Sequence, residues 1–538
     1  MLHTKVDAIG SPSHLSHVVA DQSEVINFLA NNKTHGIAGP VERIDTHGAV
    51  IFLAGEHAYK LKRAVTFPFM DLSTIGKRQW ACQREVEVNH PNAPDIYLDA
   101  VPIVREGGHL KLNGEGEVVD WVVRMHRFDE SKTLDRLAGT DALTASVLVD
   151  VVETILQCHR RAAVRDGYDA AVGLERFIQQ NDEALRESPW LFKADDVSAL
   201  TEAAGKAFDA YYPLMIERGK AGFVRRCHGD LHLRNIAMID RRPTLFDAIE
   251  FDEGIAICDV LYDLAFLLMD LWDRRLYQEA NMVLNRYLWL AGEDAHISGL
   301  AALPLFLSIR AALRAKIAAA AALVQPEAKV SAMETEARRY FDLARRFLAK
   351  ATPRLVAIGG LSGTGKSTLA GAIAPFIGTP PGAVILRSDI ERKHLAGVAE
   401  TQRLPAQSYS PATSAFVYET LHRKASLALK AGYSVILDAV HGQLPERNVA
   451  EGIALQAGVA FTGIWLDAPI SVMIERVTRR TNDVSDADAA VVQAQSGYDL
   501  GMISWHRLEA NVDPKDLANE ALCLLALRQT GHIVQPAD

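Results

Sequence analysis

Short apolar-rich runs punctuate the first third of the chain. Ala49-Val-Ile-Phe-Leu53, Ala58-Tyr-Lys-Leu-Lys62, Tyr97 to Val104 and Trp121 to Met125 predict strands, and the stretch from Gly76 to Val88 predicts a helix between them. Together they describe a small sheet-rich lobe over residues 40 to 130. From Asp141 to Lys350 the pattern becomes helical, through Val147 to Ala163, Val197 to Tyr212, Val260 to Trp272, Leu276 to Leu290 and Leu303 to Ala322. A short β-rich insert interrupts it around residues 223 to 252. The Ala-rich run Arg310 to Leu323 reads as a packed helix, because Ala is the best helix former and Arg and Lys punctuate it. At Ala351-Thr-Pro-Arg354 a long helical pattern ends at Pro and an apolar strand begins, which places a domain boundary there. Beyond it strands and helices alternate: Leu355 to Gly359, Leu369 to Phe376, Ala383 to Leu386, Ala415 to Ala431, Ser434 to Leu437, Thr462 to Leu466 and Ile470 to Arg480. Such alternation predicts a parallel sheet covered by helices.

The size of 538 residues accommodates two such domains, 1–350 and 351–538. Their composition, 49% hydrophobic and 23% charged, is that of globular enzymes. A net charge of -10 argues against a surface built to coat extended nucleic acid. The five cysteines, Cys82, Cys158, Cys227, Cys258 and Cys523, are scattered and lack CxxC spacing. They read as buried free thiols rather than a disulfide framework or a zinc site. The first twenty residues lack the charged start and apolar core of a secretory signal, and no run of about 18 apolar residues appears. A cytoplasmic protein without a membrane partner is expected.

Two motifs carry chemistry. Gly360-Leu-Ser-Gly-Thr-Gly-Lys-Ser-Thr368 fits GxxxxGK[ST] between a predicted strand and a predicted helix. The backbone N–H groups of Gly360, Ser362, Gly363, Thr364, Gly365 and Thr368 are candidates to cradle phosphates. Lys366 reaches the β and γ phosphates of ATP, and Ser367 ligates Mg²⁺. The strand Val435-Ile-Leu437 ends in Asp438, a second candidate for the metal, followed by Ala439 rather than a water-activating Glu. That favours transfer to a substrate over hydrolysis. After Ala383 to Leu386 comes Arg387-Ser-Asp-Ile-Glu-Arg392, which sets Asp389 and Arg392 one helical turn apart. This segment resembles small P-loop kinases, notably the 5′-polynucleotide kinase group with its zeta-toxin and gluconate-kinase relatives. The resemblance implies that Asp389 is the base for the acceptor hydroxyl, that Arg392 binds the acceptor, and that Arg476, Arg479 and Arg480 belong to a lid before Thr481-Asn-Asp-Val-Ser-Asp486. Helix capping by Asp389 and a solvated basic face for the arginines are the plain alternatives.

The other motif, His228-Gly-Asp230-Leu-His-Leu-Arg-Asn235, has the spacing of the kinase catalytic loop, an Asp that orients the acceptor hydroxyl and an Asn that holds Mg²⁺ five residues on. With Asp259-Val-Leu-Tyr-Asp263 it resembles the aminoglycoside phosphotransferase and choline kinase family, over residues 40 to 345. The resemblance implies a two-lobed α+β kinase-like fold, with Asp230 catalytic and Asn235 a metal ligand. Leu245-Phe-Asp247-Ala-Ile-Glu250 departs from the family's usual triplet, so Asp247 and Glu250 are both candidates for the second metal ligand. Lys60 and Glu85 are the candidate phosphate-contacting lysine and its helix partner. Lys62 and Glu87 are rivals, since Lys60 and Lys62 share a strand face. His159 reads as a packed helix residue.

The whole chain resembles bacterial proteins described as bifunctional aminoglycoside phosphotransferase-like/ATP-binding proteins. It implies ATP- and Mg²⁺-dependent transfer of the γ-phosphoryl group to a hydroxyl of a small molecule or nucleotide. One active half beside an ATP-sensing half is the first alternative, and a nucleotide-gated regulatory protein the second. No motif names the acceptor or the oligomeric state.

Overall fold

A computed structural model of the chain describes residues 17–46, 48–67, 70–324, 327–480 and 484–526. The described residues group into two compact units, each considered by itself. The first gathers the chain up to Gly205 with Tyr212–Asp270 and Ile309–Asp342. The second gathers Lys206–Tyr211, Leu271–Ser308 and the chain from Leu343 onward.

In the first unit, six strands form an antiparallel sheet: Glu42–Asp45 (β1), Ala49–Ala54 (β2), His57–Lys62 (β3), Tyr97–Glu106 (β4), His109–Leu112 (β5) and Glu117–His126 (β6), in the order β1-β2-β3-β6-β4-β5. Alternate residues serve opposite faces. Val50, Phe52, Leu61, Ile103 and Val122 pack with Val25 and Leu29 on one side. Leu53, Ala58, Tyr97, Val123 and Met125 pack with Cys82 of helix Ile75–Asn89 on the other. Thr74 starts that helix by accepting from the Lys77 N–H at 3.3 Å. The helical part includes Ala145–Arg161, Gly167–Arg186 and, up to Asp270, the helix Val260–Asp273. Between them, Val224–Arg226 (β7) pairs with Ile257–Asp259 (β10), and Ile236–Ile239 (β8) pairs with Arg242–Leu245 (β9). These two small ribbons bracket the HGD motif. The expected α+β architecture is present.

In the second unit, Arg354–Gly359 (β11), Val384–Arg387 (β12), Val435–Asp438 (β13), Ala460–Asp467 (β14) and His506–Glu509 (β15) form a wholly parallel sheet in the order β12-β13-β11-β14-β15. The central strand β11 is buried at every position, as a strand covered on both faces must be. Val356, Ile358, Ile385, Ile436, Ile464 and Leu466 pack against Leu369 and Ile373 of helix Lys366–Ile373 and Leu517, Ala521 and Leu525 of helix Pro514–Ala526. This is the expected α/β P-loop architecture. Strand β15 and helix Leu444–Ala457 lie outside the elements the hydrophobic pattern predicts. Helix Tyr277–Ala291 precedes the sequence boundary at 351–354 but folds with the parallel sheet.

Residues 294–323 form the one helical stretch among the described residues that is long and apolar enough to cross a membrane. Its most apolar window is 78% buried within the protein. Cys82, Cys158, Cys227 and Cys258 are buried free thiols, as expected, whereas Cys523 is exposed because it lies on the outer face of the last described helix.

Candidate functional site

The parallel sheet places its chemistry at the carboxyl ends of three adjacent strands, where α/β folds hold ligands. The P-loop follows β11. Register pairs Ile358 with Asp438 and Asp438 with Arg387, so these ends stand side by side. Ser367 donates from Oγ to Asp438 Oδ2 at 2.6 Å, and Arg387 Nε lies 3.3 Å from the same oxygen. Lys366 Nζ curls back over the loop, donating to the Gly360 carbonyl at 2.8 Å and the Leu361 carbonyl at 3.0 Å. Burial pushes the Lys366 amine below its ordinary pKa. Asp438 and Asp389 oppose that shift, while Arg480 and Arg387 add to it. Asp389, Asp438, Arg387 and Arg480 therefore all act on the Lys366 ammonium.

The glycines are needed for their backbone. Gly363 has φ +88°, and an added Cβ would sit 2.6 Å from the Met473 carbonyl oxygen. Gly360 has φ +139° and would meet the Leu466 carbonyl at 2.7 Å. Ser362 N–H donates to Gln495 Oε1 at 2.8 Å, and Thr364 Oγ1 donates to the Leu361 carbonyl at 2.8 Å. Gly365 caps the following helix in the left-handed region, and Thr368 is exposed.

Asp389 is half-buried at the start of helix Ser388–Leu395. Arg392, one turn on, is buried, donates to the Ser408 carbonyl at 2.7 Å and to Ser414 Oγ at 3.3 Å, and lies over the Tyr409 ring at 4.8 Å. Its Nε has no hydrogen-bond partner among the described residues. Of the three arginines expected in a lid, Arg476 reaches the P-loop, with NH1 3.5 Å and 3.4 Å from the Gly363 and Thr364 carbonyls. Arg480 acts on Lys366 at longer range. Arg479 instead pairs with Glu475 at 2.8 Å on an exposed helix face. Residues 481–483 of the expected lid lie outside the described residues. Asp486 is described: Lys393, the Leu404 N–H and the Tyr409 hydroxyl all donate to it, at 2.7, 2.9 and 2.6 Å.

The first unit assembles a second constellation from four distant segments. Lys60 Nζ donates to Glu85 Oε1 and to Asp247 Oδ1, both at 2.8 Å. Lys62 ion-pairs with Glu85 and with Glu250 in the interior. The Asp247 side chain keeps 45% of its surface exposed, against 7% for Glu250. Burial favours the neutral form of Asp247, but Lys60 and Lys62 outweigh it and hold the carboxyl below its usual range. Burial wins at Glu250, whose pKa is raised. Glu87 is on the surface and pairs with Arg84 at 2.7 Å.

Asp230 accepts from Asn235 Nδ2 at 2.8 Å. Burial would raise its pKa, yet His232, His228 and Arg310 prevail and keep the carboxylate ionised. Its loop is held from below by Asp263, which accepts from the His228 N–H at 3.2 Å and the Gly229 N–H at 2.8 Å and contacts His159 Nε2 at 3.2 Å. Arg310, stacked on Tyr262 at 4.0 Å, donates to the Gly229 carbonyl at 3.0 Å. His159 is thus a packed support, and Arg310 is a supporting residue that sequence reading assigned only to an Ala-rich helix. Asp247 has φ +61°, a conformation Asp tolerates. Its loop is stitched by the Tyr97 hydroxyl, which accepts from Asp247 N–H at 3.1 Å, by His228 Nε2 against the Phe246 carbonyl at 2.9 Å, and by Asn89, which accepts from Ala248 N–H at 2.7 Å. A cleft of about 770 Å³ opens between β1, the β2–β3 turn and the segment His126 to Ser131, a volume in the range of small-ligand sites, and its lining does not include Lys60, Asp230 or Asp247.

The family described as "AAA domain" matches residues 355–498. That segment is a P-loop nucleotide-binding domain. Along most of its length the chain is similar to the uncharacterized protein Rv2004c of Mycobacterium tuberculosis strain H37Rv, with 29% identity over 475 residues, 86% of this chain and 91% of that protein. The uncharacterized protein Mb2027c of Mycobacterium bovis matches equally. Among solved structures, a choline kinase from Cryptosporidium parvum covers 60% of this chain and 94% of its own, with 12% identity and a TM-score of 0.38. The APS kinase of Mycobacterium tuberculosis covers 32% of this chain and 98% of its own, with 23% identity and a TM-score of 0.24.

Proposed function

We propose that the protein is an ATP- and Mg²⁺-dependent phosphotransferase of the cytoplasm, acting on a hydroxyl of a small molecule or nucleotide, with an ATP site in each half. The observation that carries this reading is the convergence of Lys366, the Ser367–Asp438 pair and Asp389 on one group of strand ends. Ser367 and Asp438 offer the hard oxygens that suit Mg²⁺, and Asp247 and Asn235 do so in the kinase-like half. When bound, the ion offsets charge on the phosphates.

The chain's own residues do the rest. In the P-loop half, the N–H groups of Gly363 and Gly365 and the Lys366 amine hold the phosphates, since the Gly360, Ser362 and Thr364 N–H groups already donate to the Val440 carbonyl, Gln495 Oε1 and the Leu361 carbonyl, and Asp389 aligns the acceptor hydroxyl and receives its proton. The acceptor oxygen bonds to the γ-phosphorus as the bond from that phosphorus to the bridging oxygen breaks, and ADP leaves. Asp230 and Lys60 take the corresponding parts in the kinase-like half, with Asp247 rather than Glu250 as the second metal ligand. A second reading makes the kinase-like half an ATP sensor. The direct Lys60–Asp247 pair favours it, because that pair must open before either group meets a nucleotide.

The test is to incubate wild type, Asp230→Asn and Asp389→Asn with Mg·ATP and a bacterial metabolite and oligonucleotide extract, and to search by mass spectrometry for products heavier by one phosphoryl group. A product lost only in Asp389→Asn assigns the chemistry to the P-loop half, and one lost only in Asp230→Asn to the kinase-like half. ATP binding with no product in wild type rejects the phosphotransferase reading.

A further inference from the structure

Strand β12 is an edge of the parallel sheet, and its last residue, Arg387, leads directly into the helix that carries Asp389. An edge strand turns the N–H and C=O groups of alternate residues outward, where they need partners or invite pairing with another chain. Among the described residues no sixth strand covers them. Helix Tyr277–Ala291 does so with side chains spaced one turn apart. Asn281 Nδ2 donates to the Pro381 and Ala383 carbonyls at 3.0 and 3.1 Å. Asn285 Nδ2 donates to the Ala383 carbonyl at 3.1 Å, and its Oδ1 accepts from the Ile385 N–H at 2.7 Å. Trp289 Nε1 donates to the Ile385 carbonyl at 2.9 Å. The positions i, i+4 and i+8 form one stripe of the helix, so the rise of the helix is matched to the rise of the strand.

The stripe ends at the phosphate site. The Arg387 guanidinium lies over the Trp289 ring at 5.9 Å, and Arg387 Nε is 3.3 Å from the Asp438 oxygen that Ser367 also contacts. Two further ion pairs tie down the same helix and the one that follows it, Asp294–Gly299: Arg286 with Glu400, and Asp294 with Arg423. We infer that Trp289 is a positioning residue of the P-loop site, which through β12 and Arg387 sets the Asp438 carboxylate beside Ser367. The P-loop half then depends on a helix encoded within the kinase-like half of the sequence. The inference rests on the P-loop half binding Mg·ATP as proposed above.

The test uses the full-length chain and the part of ATP binding that is lost in Lys366→Ala, titrated with Mg²⁺. Trp289→Leu removes both the N–H and the ring, and is expected to raise the Mg²⁺ concentration at half-saturation by about 5- to 10-fold, the size of one or two lost net hydrogen bonds. Mg²⁺-free ATP affinity is expected to stay within about twofold, which a general loss of fold would not leave intact. Trp289→Phe keeps a ring beneath Arg387 and should fall between the two, so it decides the matter if Trp289→Leu fails to fold. An unmoved Mg²⁺ midpoint in the folded Trp289 variants overturns the inference alone. Absence of Lys366-dependent Mg·ATP binding in wild type overturns the functional reading and the inference together.

Discussion

Replacing Lys62 by Met separates the two lysines that share the β3 face. The Lys62 side chain is 5% exposed and its carboxylate partners, Glu85 and Glu250, are 0% and 7% exposed. Glu85 keeps Lys60 in the variant, but Glu250 loses the cation it touches. Removing one partner of a buried ion pair costs about 3–5 kcal/mol. The cost has a pH signature. Burial already raises the Glu250 pKa against the pull of Lys62, and losing Lys62 raises it further. A carboxyl whose folded pKa lies above its unfolded value binds more protons when folded, so the deficit is full above the folded pKa and shrinks as pH falls through it. Between pH 7.5 and 5.5 the deficit should therefore shrink, by at most about 2.7 kcal/mol for one carboxyl. Lys62→Met/Glu250→Leu, which replaces the pair by apolar groups, should recover most of the loss at every pH. Lys60→Met should cost about 1 kcal/mol, because the half-exposed Asp247 can turn to water and Glu85 keeps Lys62. The assay is urea-dependent amide exchange of β3 and helix Ile75–Asn89, which reports this lobe without assuming that both units unfold together. Equal losses in Lys60→Met and Lys62→Met, or a Lys62→Met deficit that does not shrink in acid, would refute the reasoning.

Gly363→Ala should lower Lys366-dependent ATP affinity at least tenfold and cost about 2–4 kcal/mol, since the φ of +88° and the Met473 carbonyl leave no room for a Cβ; calorimetry and urea unfolding read the two effects, and a variant that binds normally contradicts the loop geometry. His441 gives the second unit an acid sensitivity. It is fully buried against Tyr418 and Trp505, at 5.7 and 5.2 Å between ring centres. Burial first, then the positive charges of His422, Lys366 and Arg447, push its imidazole down to about 3. The unfolded chain protonates near pH 6.5, so stability is lost as pH falls from there toward 3, by about 2 kcal/mol at pH 5 relative to pH 7.5. His441→Phe should remove that increment from the difference in urea stability between the two pH values, and an unchanged difference counts against the assignment.

The chain by itself determined what is contiguous. Nine residues from Gly360 to Thr368 carry the P-loop, and eight from His228 to Asn235 carry the catalytic-loop spacing, because a turn and its flanking strand or helix are local structures with local signals. The alternation of strands with helices beyond residue 354 likewise determined a parallel sheet. Side-chain period could not choose between Lys60 and Lys62, which lie two apart on one face, nor between Asp247 and Glu250. The two pairs differ in depth. One lysine and one carboxylate lie toward the open side, and the other pair is sealed inside by helix Ile75–Asn89. Arg387 ends its strand in plain view, but its meeting with Asp438 depends on the pairing of β12 with β13, which no single segment encodes. Arg310 and Asp263 are brought beneath Gly229 by folding across 81 and 34 residues. The stripe Asn281, Asn285 and Trp289 reads as an ordinary helix face until an edge strand about 100 residues away needs its backbone groups satisfied. Local chemistry is written in neighbouring residues, whereas its support and burial are set by which surfaces the whole chain brings into contact.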